Sequence, residues 1–300
     1  MGKQKKAKEN KKTWSNIVAL SKKHNLQLSP QLDNVPPEFE GSSQHQELVF
    51  AFLEKAAMFL EPLDKERSTA AVREGARAIH RSFDHLQNLM PKTVHFGNEP
   101  EPMTLACKPG CNYCCSIRVT AVAPEILTLA FYLKKKLNAD EMGDLLSRIS
   151  AFEAETATLT ALRQVLRSTM CPLNVDGLCI GYANRPTGCI GYHSFNLQKC
   201  IEDHQNPEGE AMVPQDPQRW MFRDMHVQAL EAGMRAFGLD NTELEFIPAL
   251  RIALTDDDAG EKYLRGESVF AEADRPEVRT AQREDLSNRG LSNIGMREQL

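Results

Sequence analysis

The chain has 300 residues, of which 26% are charged and 41% hydrophobic, a composition that fits a soluble globular protein and argues against a disordered or membrane-embedded one. Its net charge of -5 argues against a nucleic-acid-binding surface spread over the whole domain. No apolar run approaches the roughly 20 residues needed to cross a bilayer, and no secretory signal is visible. These features predict a cytoplasmic protein, whose thiols are kept reduced.

The N-terminal segment, residues 1–42, is predicted to lie outside the folded domain. Residues 1–12 contain six lysines and one glutamate, which is typical of a disordered tail. A solvated tail is the favoured interpretation, and contact of this basic tail with RNA or an acidic partner is the less favoured alternative. Residues 13–42 contain several prolines among polar residues, which predicts an extended segment with at most a short helix.

Two amphipathic helices are predicted next, over residues 44–60 and then up to about Met90. Pro62 is expected to end the first helix, and the two helices are expected to pack as an antiparallel hairpin. His80 and His85 fall outside the apolar stripe of the second helix and are predicted to be surface residues. That stripe has helical spacing and consists of Val72, Ala76, Ile79, Phe83, Leu86 and Met90.

Two further helices are predicted in the middle of the chain. Pro124 and Glu125 suit the first turn of a helix, where proline loses no hydrogen bond and a carboxylate faces the positive end of the helix dipole. Asn138 and Glu141 have the spacing of a capping box. A second helix is therefore predicted from Asn138 to about Arg167.

The residue pattern of the C-terminal part predicts several helices, each followed by a clear stop signal. Asp216 and Pro217 indicate the start of a helix that stops at Gly238. Shorter helices are predicted over residues 246–254 and 260–266. The polar segment that follows, residues 273–300, is predicted to be a flexible tail.

The predicted fold class is mainly α, because neither strand–helix alternation nor an internal repeat is visible. A single helical domain is expected over residues 43–272. On this helical body, two irregular cysteine-rich loops are predicted to converge on a metal site.

The cysteines concentrate in two short stretches. The first cysteine loop, residues 107–115, and the second cysteine loop, residues 171–189, contain seven of the eight cysteines. In a reducing compartment, clustered cysteines are more often metal ligands or redox groups than disulfides. The predicted metal ligands are Cys107, Cys111, Cys114, Cys115, Cys171, Cys179 and Cys189.

The spacing of Cys107, Cys111 and Cys114 predicts a tight turn, bent by Pro109 and Gly110, that aims three sulfurs at one point. Thiolates are soft ligands that favour iron–sulfur clusters, zinc and cuprous copper. A tetrahedral zinc ion or a complete [4Fe–4S] cluster needs a fourth ligand. The second cysteine loop is expected to supply it.

Cys114 and Cys115 are adjacent, and successive side chains diverge in an extended backbone. Either one of the two is not a ligand, or a polynuclear cluster or a second metal is present. Seven thiols exceed the four that one site needs, which favours a cluster with spare redox thiols or two sites. Cys200 stands apart and is predicted to be a buried small apolar residue.

Two other polar residues lie within or just after the second cysteine loop. His193 is expected to pack and hydrogen-bond rather than to bind a metal. Arg185 is expected to stabilise thiolate charge, with a solvated turn arginine as the alternative. No catalytic residue is predicted, because no serine–histidine–acid set, phosphate loop or dinucleotide fingerprint is visible.

The cysteine pattern resembles that of the CxxCxxCC or YkgJ-type family, described as a zinc- or iron-chelating domain. The resemblance covers roughly residues 100–270 and implies metal binding, with no reaction assigned. The family name implies two residues between the first two cysteines, where this chain has three. The matching segments are Cys107, Cys111, Cys114-Cys115, Cys171-Pro172-Leu173, Cys179-Ile180-Gly181-Tyr182, Arg185-Pro186, Cys189 with Tyr192, and 247–270.

Three functions are compatible with these observations. The leading hypothesis is an iron–sulfur or iron-chelating protein. A [4Fe–4S] cluster is the expected cofactor. The enzyme alternative is a radical S-adenosylmethionine enzyme, whose signature the first cysteine loop resembles, although that class needs a strand–helix barrel. The other alternative is a zinc module in which the metal only folds the loops.

Overall fold

The computed structural model describes residues 14–33, 40–96, 101–166, 168–209 and 212–288. The predicted basic tail, the end of the predicted C-terminal tail and part of the loop before the first cysteine loop lie outside these ranges. The predicted mainly α class is confirmed, with 64% helix and 5% strand. Within the described ranges, no helix has the length and apolar character required to span a membrane.

The α-helices are separated by connections of very different length, and the two longest, residues 90–122 and 166–186, contain the first cysteine loop and most of the second. In chain order they are α1 (14–23), α2 (Pro30–Asp33), α3 (Ser43–Lys65), α4 (Thr69–Leu89), α5 (Ala123–Lys136), α6 (Ala139–Ala157), α7 (Ala161–Val165), α8 (Thr187–Gly191), α9 (Leu197–Gln205), α10 (Pro217–Ala236), α11 (Phe246–Thr255), α12 (Ala259–Leu264) and α13 (Pro276–Asn288).

The described strands are two residues long and form three antiparallel pairs. They are β1 (Thr93–Val94) with β2 (Met103–Thr104), β3 (Thr120–Ala121) with β6 (Leu244–Glu245), and β4 (Asn174–Val175) with β5 (Leu178–Cys179). The described residues therefore contain no parallel sheet and no strand–helix repeat. The barrel that a radical S-adenosylmethionine enzyme requires is not found among them.

Helices α3, α4 and α10 pack closely around Phe59. A Cβ atom added at Gly75 of α4 would lie 2.6 Å from the carbonyl oxygen of Phe59, and one added at Gly233 of α10 would lie 2.9 Å from its ring. The absence of a side chain at these two glycines therefore sets how closely the helices approach. The predicted stripe of α4 is confirmed at its centre, where the fully buried residues are Val72, Ala76, Ile79 and Phe83.

Helix α5 crosses the main hydrophobic core and places its N-terminus beside the cysteine loops. Ile126, Leu129 and Leu133 are fully buried, and the helix begins with Pro124 and Glu125 in its first turn as predicted. The predicted capping box at the start of α6 is also confirmed: the Asn138 side chain accepts a hydrogen bond from the backbone of Glu141, whose carboxylate accepts one in return.

The prediction that Pro62 ends the first helix is wrong, because α3 continues to Lys65. Proline inside a helix removes one backbone donor and crowds the carbonyl four residues earlier, but it does not prevent the helix from continuing when other contacts offset this cost. The turn beyond it is held by burial of Leu63 and by a 3.1 Å hydrogen bond from the Glu66 amide to the Pro62 carbonyl.

The prediction of one helix from Asn138 to about Arg167 is also wrong, since α6 stops at Ala157 and α7 begins at Ala161. The Thr158 hydroxyl donates to the carbonyl of Glu155, and the Thr160 hydroxyl accepts from the Arg163 amide. Threonine side chains compete in this way for backbone groups and so favour helix ends.

Both terminal segments contain more structure than the sequence predicts. Residues 14–23 form α1, whose Ile17 is buried, so this part of the expected extended segment is helical. The expected flexible tail contains α13, in which Val278 is fully buried and Arg279 donates to the Glu243 carbonyl. Contacts with the core outweigh the weak amphipathic signal of these segments.

Two glycine-to-alanine substitutions should have opposite effects on stability. Gly75→Ala forces a Cβ atom against the backbone of α3 and should lower the free energy of unfolding by about 2 kcal/mol. A Cβ atom added at Gly143, on the exposed face of α6, would meet nothing within 4 Å. Gly143→Ala should therefore raise the free energy of unfolding by about 1 kcal/mol, since alanine is the better helix former.

Urea unfolding followed by circular dichroism measures both free energies. If Gly75→Ala were as stable as Gly143→Ala, the close packing of α3 against α4 would be refuted.

Candidate metal centre

The first cysteine loop is a tight turn followed by one turn of 3-10 helix. Gly110 has a φ of +82°, and the Cys111 amide donates to the Lys108 carbonyl at 3.0 Å. The predicted bend is therefore present. Tyr113–Ser116 then form the 3-10 helix, so the adjacent Cys114 and Cys115 lie on helical rather than extended backbone.

The second cysteine loop begins with a β-hairpin, an element that was not predicted. Strands β4 and β5 are joined by Asp176 and Gly177, both with positive φ, which is the conformation of a type I′ turn. The sequence Asp-Gly between two apolar residues is the signal that would have predicted it. The hairpin places Cys179 opposite Asn174.

The two cysteine loops are in direct contact. The amide of Cys171 donates to the carbonyl of Cys115 at 2.8 Å. The side-chain amide of Asn174 lies 3.5 Å from the sulfur of Cys115. A Cβ atom added at Gly177 would lie 3.8 Å from the Gly110 carbonyl oxygen. Segments far apart in the chain are thus joined through their backbones.

All eight cysteines are free thiols. Burial raises the pKa of Cys107, Cys179 and Cys189 above the ordinary value, and negative charge on neighbouring thiolates raises it further. For Cys189 these neighbours are Cys171, Cys179 and Cys115. The thiols of the two loops are therefore close enough to influence one another's ionisation.

Cys114 and Cys115 form a hydrogen-bonded pair. Cys114 donates to the sulfur of Cys115, which raises the pKa of Cys114 and lowers the pKa of Cys115. Donation from Asn174 and the charge of Arg185 lower the pKa of Cys115 further, against the opposing effect of burial. Cys115 is the thiol that the site most favours as a thiolate.

Arg185 is the cation shared by the two cysteine loops. Its guanidinium lies 4.0 Å from the ring centroid of Tyr182, which restricts its position. Its charge helps to lower the pKa of Cys115, and it offsets part of the rise that burial causes in the pKa of Cys107, Cys179 and Cys189. The predicted interaction of Arg185 with thiolate charge is thus present.

Glu125 anchors the segment that carries Cys189. Its Oε1 accepts hydrogen bonds from the amide and the hydroxyl of Thr187, both at 2.7 Å, and from Nε2 of His80 at 3.0 Å. Its Oε2 accepts from the Val122 amide at 3.1 Å. This carboxylate therefore joins α4, α5 and α8 at one buried point.

The prediction that His80 is a surface residue is wrong, since its side chain is 6% exposed and bonded to Glu125. The apolar stripe of α4 excludes His80, but a second buried face of that helix packs on α5. His85 is exposed as predicted.

His193 has the predicted packing and hydrogen-bonding role. Its Nδ1 donates to the Gly191 carbonyl at 2.8 Å, and its Nε2 accepts from the Asp216 amide at 2.8 Å. Burial lowers its pKa, which agrees with a neutral ring whose two nitrogens are both engaged. His193 fixes the chain after α8 to the start of α10.

Cys200 does not stand apart as its position in the sequence suggests. Its thiol interacts with the side chain of Ser194 and with the charges of Cys107 and Cys111. Helix α9 brings it there, and its capping residue Asn196 could have predicted the helix but not its docking position. Cys200 therefore lies near the first cysteine loop.

The thiols as placed do not form a finished coordination shell. Within the described part of the chain, no group of three or more Cys, His, Asp or Glu side chains is arranged so that it could hold a metal ion. Protonated thiols interact in pairs, as Cys114 and Cys115 do. The donor chemistry nevertheless fits a soft metal, because seven of the eight cysteines lie in the two loops.

Replacing Glu125 with glutamine should destabilise the protein by about 3 kcal/mol at neutral pH. The amide would present a donor to groups that already donate, in a fully buried site where an unsatisfied polar group is costly. Although burial raises the pKa of Glu125, hydrogen bonds and charge from His80 and the hydrogen bonds from Thr187 lower it to about 2 from 4.5.

The stabilisation from Glu125 is therefore complete above pH 4.5 and is lost as the pH falls towards about 2. Urea unfolding of wild type and variant at several pH values measures this. Glu141→Gln, at the same capping position but exposed, is the matched control and should cost under about 1 kcal/mol. Equal costs for the two variants would contradict the anchoring role.

Removing the charge of Arg185 should make Cys115 less reactive. In Arg185→Gln the pKa of Cys115 should rise, so that its alkylation by iodoacetamide near neutral pH slows by about threefold. Peptide mapping by mass spectrometry follows Cys115 separately from the other thiols. Arg185→Lys keeps the charge and should restore most of the rate, whereas equal slowing in both variants would contradict the electrostatic explanation.

No family model matches the chain, and no curated protein or solved structure shows significant similarity to it. The resemblance to the CxxCxxCC family therefore stays a prediction from the cysteine spacing.

Proposed function

We propose that this protein binds a thiolate-ligated metal centre, an iron–sulfur cluster or iron, where the two cysteine loops meet, and that it acts in the cytoplasm. The observation that carries the proposal is the hydrogen bond from the Cys171 amide to the Cys115 carbonyl, which joins the two cysteine loops. It supports a shared centre, because a metal ion or cluster needs ligands from both loops.

The surroundings of the sulfurs support an anionic centre in particular. The Ser194 amide lies 3.3 Å from the sulfur of Cys107, and the Asn174 side-chain amide lies 3.5 Å from that of Cys115. Hydrogen bonds to sulfur and nearby positive charge, here from Arg185, tune iron–sulfur clusters. When bound, a cluster would supply electron transfer or metal handling, and these residues would hold its charge.

Thiols bind metals only after losing their protons, so metal binding and proton release are coupled. Protonated neighbours such as Cys114 and Cys115 instead hydrogen-bond to each other. Deprotonation removes that donor and frees both sulfurs.

A structural zinc site is the second candidate. The observation that favours it is the packing of the second cysteine loop on the hydrophobic core, where Leu173 is 1% exposed and Cys171 and Cys179 contact core residues. A metal there would hold the loop against the helical body and contribute to folding.

Metal analysis of anaerobically purified protein tests both candidates. We expect brown protein with equal amounts of iron and acid-labile sulfide, and at least about tenfold less bound iron in Cys115→Ser and Cys171→Ser. His85→Ala, an exposed histidine on α4, should bind as much iron as wild type.

Zinc without iron or sulfide would favour the structural site instead. Colourless protein without any bound metal would overturn the proposal. Reductive cleavage of S-adenosylmethionine by the reduced protein would point to the enzyme alternative.

A further inference from the structure

Three cations gather around the ring of Phe131, where α4 packs on α5. The guanidinium carbon of Arg73 lies 4.0 Å from the centroid of this ring, and that of Arg77 lies 5.9 Å from it. The ammonium nitrogen of Lys135 lies 4.4 Å from the same centroid. Because attraction to the ring offsets part of the repulsion between like charges, one aromatic side chain holds three cations together.

The positive surface continues from α5 to the second cysteine loop. Nζ of Lys136 donates to the Ile180 carbonyl at 2.9 Å and lies 5.3 Å from the ring centroid of Tyr132. The 3-10 turn Tyr182–Asn184 packs on α5 and is followed by Arg185. The basic surface is defined by five cations, namely Arg73, Arg77, Lys135, Lys136 and Arg185.

The cations of the basic surface lack carboxylate partners. None of the five forms an ion pair with another described residue, whereas the adjacent Lys134 is paired with Asp257 at 2.7 Å. Glu261 attracts Arg73 at longer range, but its carboxylate accepts a hydrogen bond from the Thr69 hydroxyl. Positive charge is therefore left largely uncompensated on one side of a chain whose net charge is -5.

The repulsion within the basic surface acts on Arg73 in particular. Burial lowers the pKa of Arg73, and the charge of Arg77, one helical turn away, lowers it further against the smaller effect of Glu261. Like charges at this spacing destabilise a helix. A negatively charged ligand would relieve the repulsion, so the basic surface fits an acidic partner.

The aromatic rings of this region favour a protein over a nucleic acid. Single-stranded nucleic acids stack their bases on open ring faces, but cations already lie against Phe131, Tyr132 and Tyr182, the last of which has the Arg185 guanidinium 4.0 Å from its centroid. Leu178 and Tyr182 are nevertheless 61% and 62% exposed. Exposed apolar and aromatic groups beside arginine are typical of protein interfaces.

We propose that the basic surface is a docking site for an acidic protein segment whose apolar side chains cover Leu178 and Tyr182. Carboxylates of the partner would pair with the five cations. Each exposed pair contributes little by itself, but several together steer association and fix the orientation of the partner. The inference does not depend on a bound metal, so it holds or fails independently of the proposed function.

Fluorescence anisotropy of a labelled peptide, in which two glutamates alternate with one leucine, tests the inference on the full-length protein. Wild type should bind this peptide, and the affinity should fall by about tenfold when the salt concentration rises from about 50 to about 200 mM. Arg77→Glu combined with Lys135→Glu should weaken binding by at least about tenfold, because the peptide's carboxylates would then face like charges.

The matched control is Lys92→Glu combined with Arg283→Glu, two exposed cations outside the basic surface. This pair changes the net charge equally and should bind the peptide as wild type does. Leu178→Ser keeps the charge and should weaken binding by about threefold. Far-ultraviolet circular dichroism establishes that each variant retains the helical fold.

Equal weakening by the two charge-reversed pairs would overturn the inference, because net charge rather than the basic surface would then account for binding. Absence of peptide binding by wild type would overturn it as well. Tighter binding of single-stranded oligouridine than of the peptide would also overturn it and would indicate a nucleic-acid site instead.

Discussion

The cysteine region depends on the hydrogen bonds that the buried carboxylate of Glu125 accepts. This carboxylate joins the first turn of α5 to His80 of α4 and to Thr187, two residues before Cys189. A carboxylate without these donors would be costly to bury. The hydrogen bonds that stabilise Glu125 are therefore the same ones that hold the second cysteine loop against the helical body.

The two cysteine loops combine many ionisable thiols with few positive charges. Burial and mutual repulsion both oppose thiolate formation, and burial raises the pKa of most of these cysteines. Arg185 and the amide of Asn174 oppose that trend at Cys115. A bound cation would relieve the repulsion throughout the group, which is why we propose a metal centre.

The sequence by itself determined the mainly α class, the capping box at Asn138 and the bend at Gly110, because local interactions between residues a few positions apart decide these features. The positions of the cysteines in the sequence also identified the two cysteine loops. Only the tertiary structure decided that His80 is buried on Glu125, that Cys200 joins the first cysteine loop and that residues 276–288 form a packed helix. Each of these depends on contacts between segments far apart in the chain, where packing of the core outweighs local preference.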